Sequence, residues 1–154
     1  MVDAFGGSRS SSKLLYFPTT EFSPRYCTGD ISAFTFELTG WDHVVSRPVI
    51  DGCLFCAEQH VCFSVLVKLG REHYVVRRRY NDFAAFRASL LSDYDNLKTE
   101  LGEFPAKTWF VVTTDEVFIN DRKQRLSDFL NSTLKVLSSK GLLQLAVVRQ
   151  FFEF

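Results

Sequence analysis

Residues 60–80, HVCFSVLVKLGREHYVVRRRY, constrain the fold more than any other stretch of this chain. Val61, Phe63, Val65, Val67 and Leu69 recur at every second position, the period of a strand that buries one face. The segment is rich in the β-branched and aromatic side chains that suit a pleated surface. Gly70, Arg71 and Glu72 read as a short hairpin turn, and HYVVRRRY as the next strand. Upstream, AFTFEL alternates Phe34 and Phe36 against Thr35 and Glu37, so order is expected from about Ile31. Three strands in this succession predict an antiparallel meander. A connection from about Val45 to Gln59, carrying Pro48, Gly52, Cys53 and Cys56, separates the first two strands. Connections of that length are usually functional or mobile.

The period then changes. Phe83, Phe86, Leu90, Tyr94 and Leu97 are spaced by three and four, one face of a helix, with Asn81 as its expected N-cap. Gly102 and Pro105 break the pattern. Thr113 with Glu116 fits a capping box for a second helix. That helix carries the stripe Leu126, Phe129, Leu130, Thr133 and Leu137 and ends at Lys140-Gly141, a basic last turn and a C′ glycine. A short last helix is expected over about Leu142 to Phe152. Strands first and helices afterwards predict an α+β domain: a three-stranded antiparallel β-meander followed by a helical subdomain of about three helices.

At 154 residues the chain suits one domain, with a Phe-rich core given its 16 phenylalanines. Residues 1–30 are rich in Ser, Gly, Thr and Pro without periodicity and read as a flexible leader before a domain over 31–154. The N-terminus lacks the apolar run of a secretory signal, and no apolar stretch approaches the length of a bilayer span. Eighteen basic and 18 acidic residues balance, which argues against nucleic-acid binding by bulk charge. Cys27, Cys53, Cys56 and Cys62 are expected as reduced thiols. Cys53, Cys56, His60 and Cys62 offer zinc-ligand chemistry, but all four fall within ten residues, whereas zinc sites draw on separated knuckles; no metal is expected. No GxSxG, HExxH, Walker A or dinucleotide glycine pattern occurs, so neither an enzyme nor a cofactor is expected.

Three basic segments remain. Arg77, Arg78 and Arg79 sit at a strand end directly before a helix N-terminus, where guanidinium forks and unbonded N–H groups can meet an anion. Alternation turns Arg78 away from Arg77 and Arg79. Taken alone, the tripeptide is better explained as a charged strand edge that deters aggregation. FPAKTWF, residues 104–110, puts Lys107 after a proline-set turn and beside Trp109 and Phe110, a combination suited to a membrane interface or to a core-packed loop. FINDRKQRLSDFL, residues 118–130, crowds Arg122, Lys123 and Arg125 opposite the Leu126, Phe129 and Leu130 face. An exposed helix face is the ordinary meaning of such charges.

Taken together and in this order, the segments resemble the phox homology (PX) domain. RRYNDF is similar to the family's RRYxxF signature, FPAK to its lysine-bearing turn, and FINDRKQRLSDFL to a helix of small sorting nexins. The resemblance covers roughly Ile31 to Phe154. It implies that Arg79 clamps the 3-phosphate of a phosphoinositide and that Tyr80 lies under the inositol. It implies further that Lys107 sits near the 1-phosphate diester and that Arg122 reads the 4- and 5-hydroxyls. The expected ligand is phosphatidylinositol 3-phosphate in membranes. The chain is then cytoplasmic and peripheral on endosomes, acts in sorting and trafficking, and recruits trafficking protein partners. Trp109 and Phe110 are the expected membrane-insertion pair. The alternative is a protein–protein adaptor on the same fold, with weak or different phosphoinositide preference. The family's proline-rich PxxP loop is missing between Lys107 and Phe118, so no SH3 ligand role is expected. The resemblance leaves the Cys-rich connection without a role.

Overall fold

The computed structural model describes residues 34–46, 58–108 and 115–154. The expected leader over 1–30, Cys53 and Cys56 in the long connection, Thr113, and the pair Trp109 and Phe110 all lie outside the described residues.

The alternating segments form one antiparallel sheet, β1 (Phe34–Ser46), β2 (Glu58–Leu69) and β3 (Glu72–Arg79), in the order β1-β2-β3. The first strand runs longer than its alternation suggested, and the third is shifted by one residue. β1 continues through TGWDHVVS after a bulge between Leu38 and Gly40, so that Trp41 faces Phe63 in the ladder. Glu72, expected in the turn, already pairs with Leu69, which leaves Gly70 and Arg71 as the connection. Gly70 has φ +60, a left-handed conformation that costs a residue with a Cβ more than it costs glycine.

β2 buries Phe63, Val65, Val67 and Leu69, as its alternation requires. Helix α1 (Tyr80–Asp93) lays Phe83, Phe86 and Leu90 on that layer. A 3-10 turn over Asp95–Thr99 adds Leu97. Helix α2 (Glu116–Ser139) buries the expected stripe of Leu126, Phe129, Leu130, Thr133 and Leu137. Its C-terminus closes as the Lys140-Gly141 pair predicts: Gly141 has φ +69, and the Leu142 amide returns to the Leu137 carbonyl at 2.8 Å. Helix α3 (Ala146–Phe152) is shorter than expected, because Leu145 takes an extended backbone (ψ 139) and serves as its N-cap. Phe151 fills the space between strands and helices, 5.1 Å from Phe83 and 4.6 Å from Phe86 between ring centroids.

Both helix starts differ from the sequence expectation. α1 begins at Tyr80 with Arg79, not Asn81, as its N-cap, because Asp82 reaches back and accepts from the Arg79 amide at 2.6 Å. α2 is capped by Asp115, whose carboxylate accepts from the amides of Val117 and Phe118 at 3.0 and 3.1 Å. The cap is thus an acidic residue directly before the helix, and the Thr113 half of the expected box lies outside the described residues.

Candidate functional site

The corner between β3 and α1 is tight. Arg79 ends the strand in extended conformation (φ −84, ψ 162) and Tyr80 opens the helix. The Asp82 bond to the Arg79 amide fixes this turn. α2 approaches the corner with its first turns, and Trp41 on β1 donates its indole N–H to the Asn120 side chain at 3.0 Å. Between β2, this corner and α2 lies a cleft of about 240 Å³ whose lining includes Arg79, Tyr80 and Arg122, with Val61, Phe63 and Ile119 as apolar members.

Arg122 is the organising side chain of the cleft. Its guanidinium carbon lies 4.6 Å from the Tyr80 ring centroid and 4.5 Å from that of Phe118. Such cation–π contacts strengthen as water is excluded. The same group donates to the Ala106 carbonyl at 3.3 Å and to the Thr108 hydroxyl. The Tyr80 hydroxyl donates to the Pro105 carbonyl at 2.7 Å. The FPAK turn is therefore fastened to the cleft by both residues. Burial pushes the Tyr80 phenol above its ordinary value, against the opposing pull of Arg122 and Arg87. Burial likewise lowers Arg122, with Tyr80 acting in the other direction.

Three of the four expected headgroup residues, Arg79, Tyr80 and Arg122, thus line one cleft, although Arg122 is more than 40 positions from the other two in sequence. Lys107 is not among the lining residues. It is exposed in the turn, between the two residues that accept from Arg122. The guanidinium of Arg122 covers the Tyr80 ring, the surface expected to lie against the inositol.

The middle arginine of the triplet has a separate role. Arg78 is 1% exposed. It donates to the carbonyls of Phe151 (3.0 Å), Gln150 (3.1 Å) and Arg77 (3.0 Å) and pairs with the Glu153 carboxylate at 2.8 Å. The Tyr74 hydroxyl donates to the Phe152 carbonyl at 2.9 Å. The carbonyls that a helix C-terminus leaves unbonded are here taken by inward side chains of β3. The expectation that alternation separates Arg78 from Arg79 holds. Its structural task was missed, although it shares strand parity with Tyr74 and Val76, which marks the inward face. Phe118 was also missed. It precedes Arg122 by four positions, the spacing at which helical side chains meet. Thr108 carries no sequence signal. Arg77, on the outer face, pairs with Asp42 at 3.1 Å where both side chains are more than half exposed.

The family model described as PX domain matches residues 67–154. The chain belongs to the PX domain family. Among its relatives, sorting nexin-16 of Mus musculus and of Homo sapiens are each 29% identical over 118 residues, covering 75% of this chain and 33% of the relative. The chain therefore spans about a third of the length of the curated relatives it matches. Among solved structures, a designed CISK-PX domain is 25% identical with a TM-score of 0.59, over 76% of this chain and 96% of the other. The mouse SNX19 PX domain with bound sulphate ion is 18% identical with a TM-score of 0.55, over 76% and 92%. Three antiparallel strands followed by three helices are the PX fold. PX domains typically bind phosphoinositides, and sorting nexins are in general binding modules without enzymatic activity. Among the described residues no helix is long and apolar enough to cross a membrane.

Proposed function

We propose that this PX domain attaches to membranes by binding the headgroup of phosphatidylinositol 3-phosphate in the cleft of Arg79, Tyr80 and Arg122. The observation that carries the reading is the meeting of two guanidinium groups and an aromatic ring in one cleft at a strand–helix corner. A guanidinium fork at Arg79, beside the first N–H groups of α1, suits a terminal phosphate. Lys107, exposed on the fastened turn, suits the diester phosphate that joins headgroup to lipid. Arg122 already stacks on Tyr80, so the inositol would meet the guanidinium edge-on beside that ring. N–H groups aimed edge-on reach neighbouring hydroxyls, and phosphates at positions 4 and 5 would crowd there. Trp109 and Phe110, next along the chain, would enter the interfacial layer as the second attachment that stable membrane binding generally needs. A 3-phosphate preference fits a role on endosomal membranes in protein sorting.

Liposomes carrying each phosphoinositide singly test the reading. The expected outcome is sedimentation with the 3-phosphate lipid above that with the 4-phosphate or the 4,5-bisphosphate. Equal sedimentation with uncharged liposomes would overturn lipid recognition. A preference for the 4,5-bisphosphate would overturn the assigned role of Arg122.

A further inference from the structure

Arg122 is fixed in two different ways. The faces of the Tyr80 and Phe118 rings hold its charge, with the guanidinium carbon 4.6 and 4.5 Å from their centroids. A ring attracts the cation through its face and leaves the orientation of the group weakly set. Directional contacts must set that orientation, because hydrogen bonds weaken steeply away from linearity. Two are present, both from Nη2: to the Ala106 carbonyl at 3.3 Å and to the Thr108 hydroxyl. The carbonyl contact is long for an N–H···O bond. The Thr108 hydroxyl is the side-chain restraint beside it. Nε and Nη1 make no hydrogen bond among the described residues.

We infer that Thr108 is a positioning residue for headgroup recognition: its hydroxyl sets the in-plane orientation of Arg122. It thereby sets which pattern of hydroxyls and phosphates the Nε and Nη1 donors accept. The inference rests on the headgroup reading given above. The same bond has a second consequence. Thr108 directly follows Lys107, and Pro105 on the other side accepts from Tyr80. The turn that presents Lys107 is thus joined to the side chain that reads the ring. Loss of the Thr108 hydroxyl would loosen both at once while leaving every buried core residue untouched.

Thr108→Val removes the acceptor and keeps the side-chain shape, and Thr108→Ser keeps the acceptor. Binding is measured on liposomes containing the 3-phosphate lipid or the 3,5-bisphosphate. Rotation about the Arg122 Nε–Cζ bond is measured by side-chain NMR on protein without lipid. Thr108→Val should lower affinity for the 3-phosphate lipid about fivefold, the scale of one ordinary hydrogen bond. It should narrow the preference over the 3,5-bisphosphate and speed the Arg122 rotation. Its melting temperature should match wild type, and Thr108→Ser should restore all three properties. A Val variant with wild-type preference and wild-type Arg122 rotation overturns the inference. Wild-type protein that binds neither lipid, while its Arg122 rotation is slow and released by Thr108→Val, overturns the headgroup reading instead.

Discussion

Two regions of this PX domain are built around an arginine, and the two spend its donors in opposite ways. At the α3 end of the sheet, Arg78 is 1% exposed, and its guanidinium is bound by three carbonyls and a carboxylate. In the cleft, Arg122 is half-buried, held mainly by two ring faces, and two of its nitrogens make no hydrogen bond among the described residues. A buried cation must have its N–H groups taken internally, since an unpaired one costs more than the pairing returns. A cation that reads a ligand must keep some donors for it. The number of N–H groups already spent, rather than charge or sequence motif, separates the two arginines.

The largest effect should come from Arg78. Arg78→Ala leaves three carbonyls and the Glu153 carboxylate without their partner and opens a cavity. Removing one member of a buried pair costs about 3–5 kcal/mol. Thermal unfolding should therefore fall by about 10 °C or more, and lipid binding should fall with it. Arg78→Ala melting like wild type would erase the distinction drawn between the two regions.

Arg79 comes next. Its side chain is partly exposed and contributes to no core cluster. Arg79→Ala should leave the melting temperature within about 1 °C of wild type. It should cost about 2–3 kcal/mol of binding to the 3-phosphate lipid, the scale of a charge-assisted bidentate contact. Undiminished sedimentation would remove the proposed phosphate clamp.

Arg122→Ala sharpens the comparison further. The side chain stacks on two rings, so a small loss of stability is expected, about 1 kcal/mol, well below that of Arg78→Ala. Its main effect should be on choice of headgroup. The preference for the 3-phosphate lipid over the 4,5-bisphosphate should shrink. If the Arg122 variant instead unfolds as readily as the Arg78 variant, the cleft arginine is structural.

The smallest effect concerns Cys62, the cross-strand partner of Arg79. Burial pushes its thiol above the ordinary 9.0, with Asp82 adding to the rise, while Arg79 and Arg77 pull it down. Folding therefore favours the protonated thiol. That contribution is intact below about pH 9.0 and is lost as pH climbs through the raised value. With Cys27, Cys53 and Cys56 changed to Ser, thiol labelling should reach half its limiting rate above pH 9.0. Adding Arg79→Ala should move that point higher still. A midpoint that fails to move would show that Arg79 does not face the thiol.

Period and punctuation determined much of this molecule from sequence alone. The alternation of Val61, Phe63, Val65, Val67 and Leu69 and the helical stripe ending at Lys140-Gly141 are local in origin. Each follows from backbone geometry acting within a few residues, so the chain carries it wherever it folds. The strand parity that turned Arg78 away from Arg79 was legible for the same reason. What that inward face meets was not: the carbonyls of α3 lie more than 70 positions away, and nothing near Arg78 announces them. Helix starts were misread because side-chain caps compete. Asp82 fixed the α1 start at Arg79 instead of Asn81, and Asp115 capped α2, each through hydrogen bonds to nearby amides. The cleft itself was decided by tertiary structure. Arg79 and Tyr80 come from one corner and Arg122 from a distant helix, and the Thr108 hydroxyl meets Arg122 from the turn that Tyr80 also holds at Pro105. Residue type determines which contacts a side chain can make. Packing of distant elements decides which of them are left unmade, and so which arginine holds the fold and which is left with donors for a ligand.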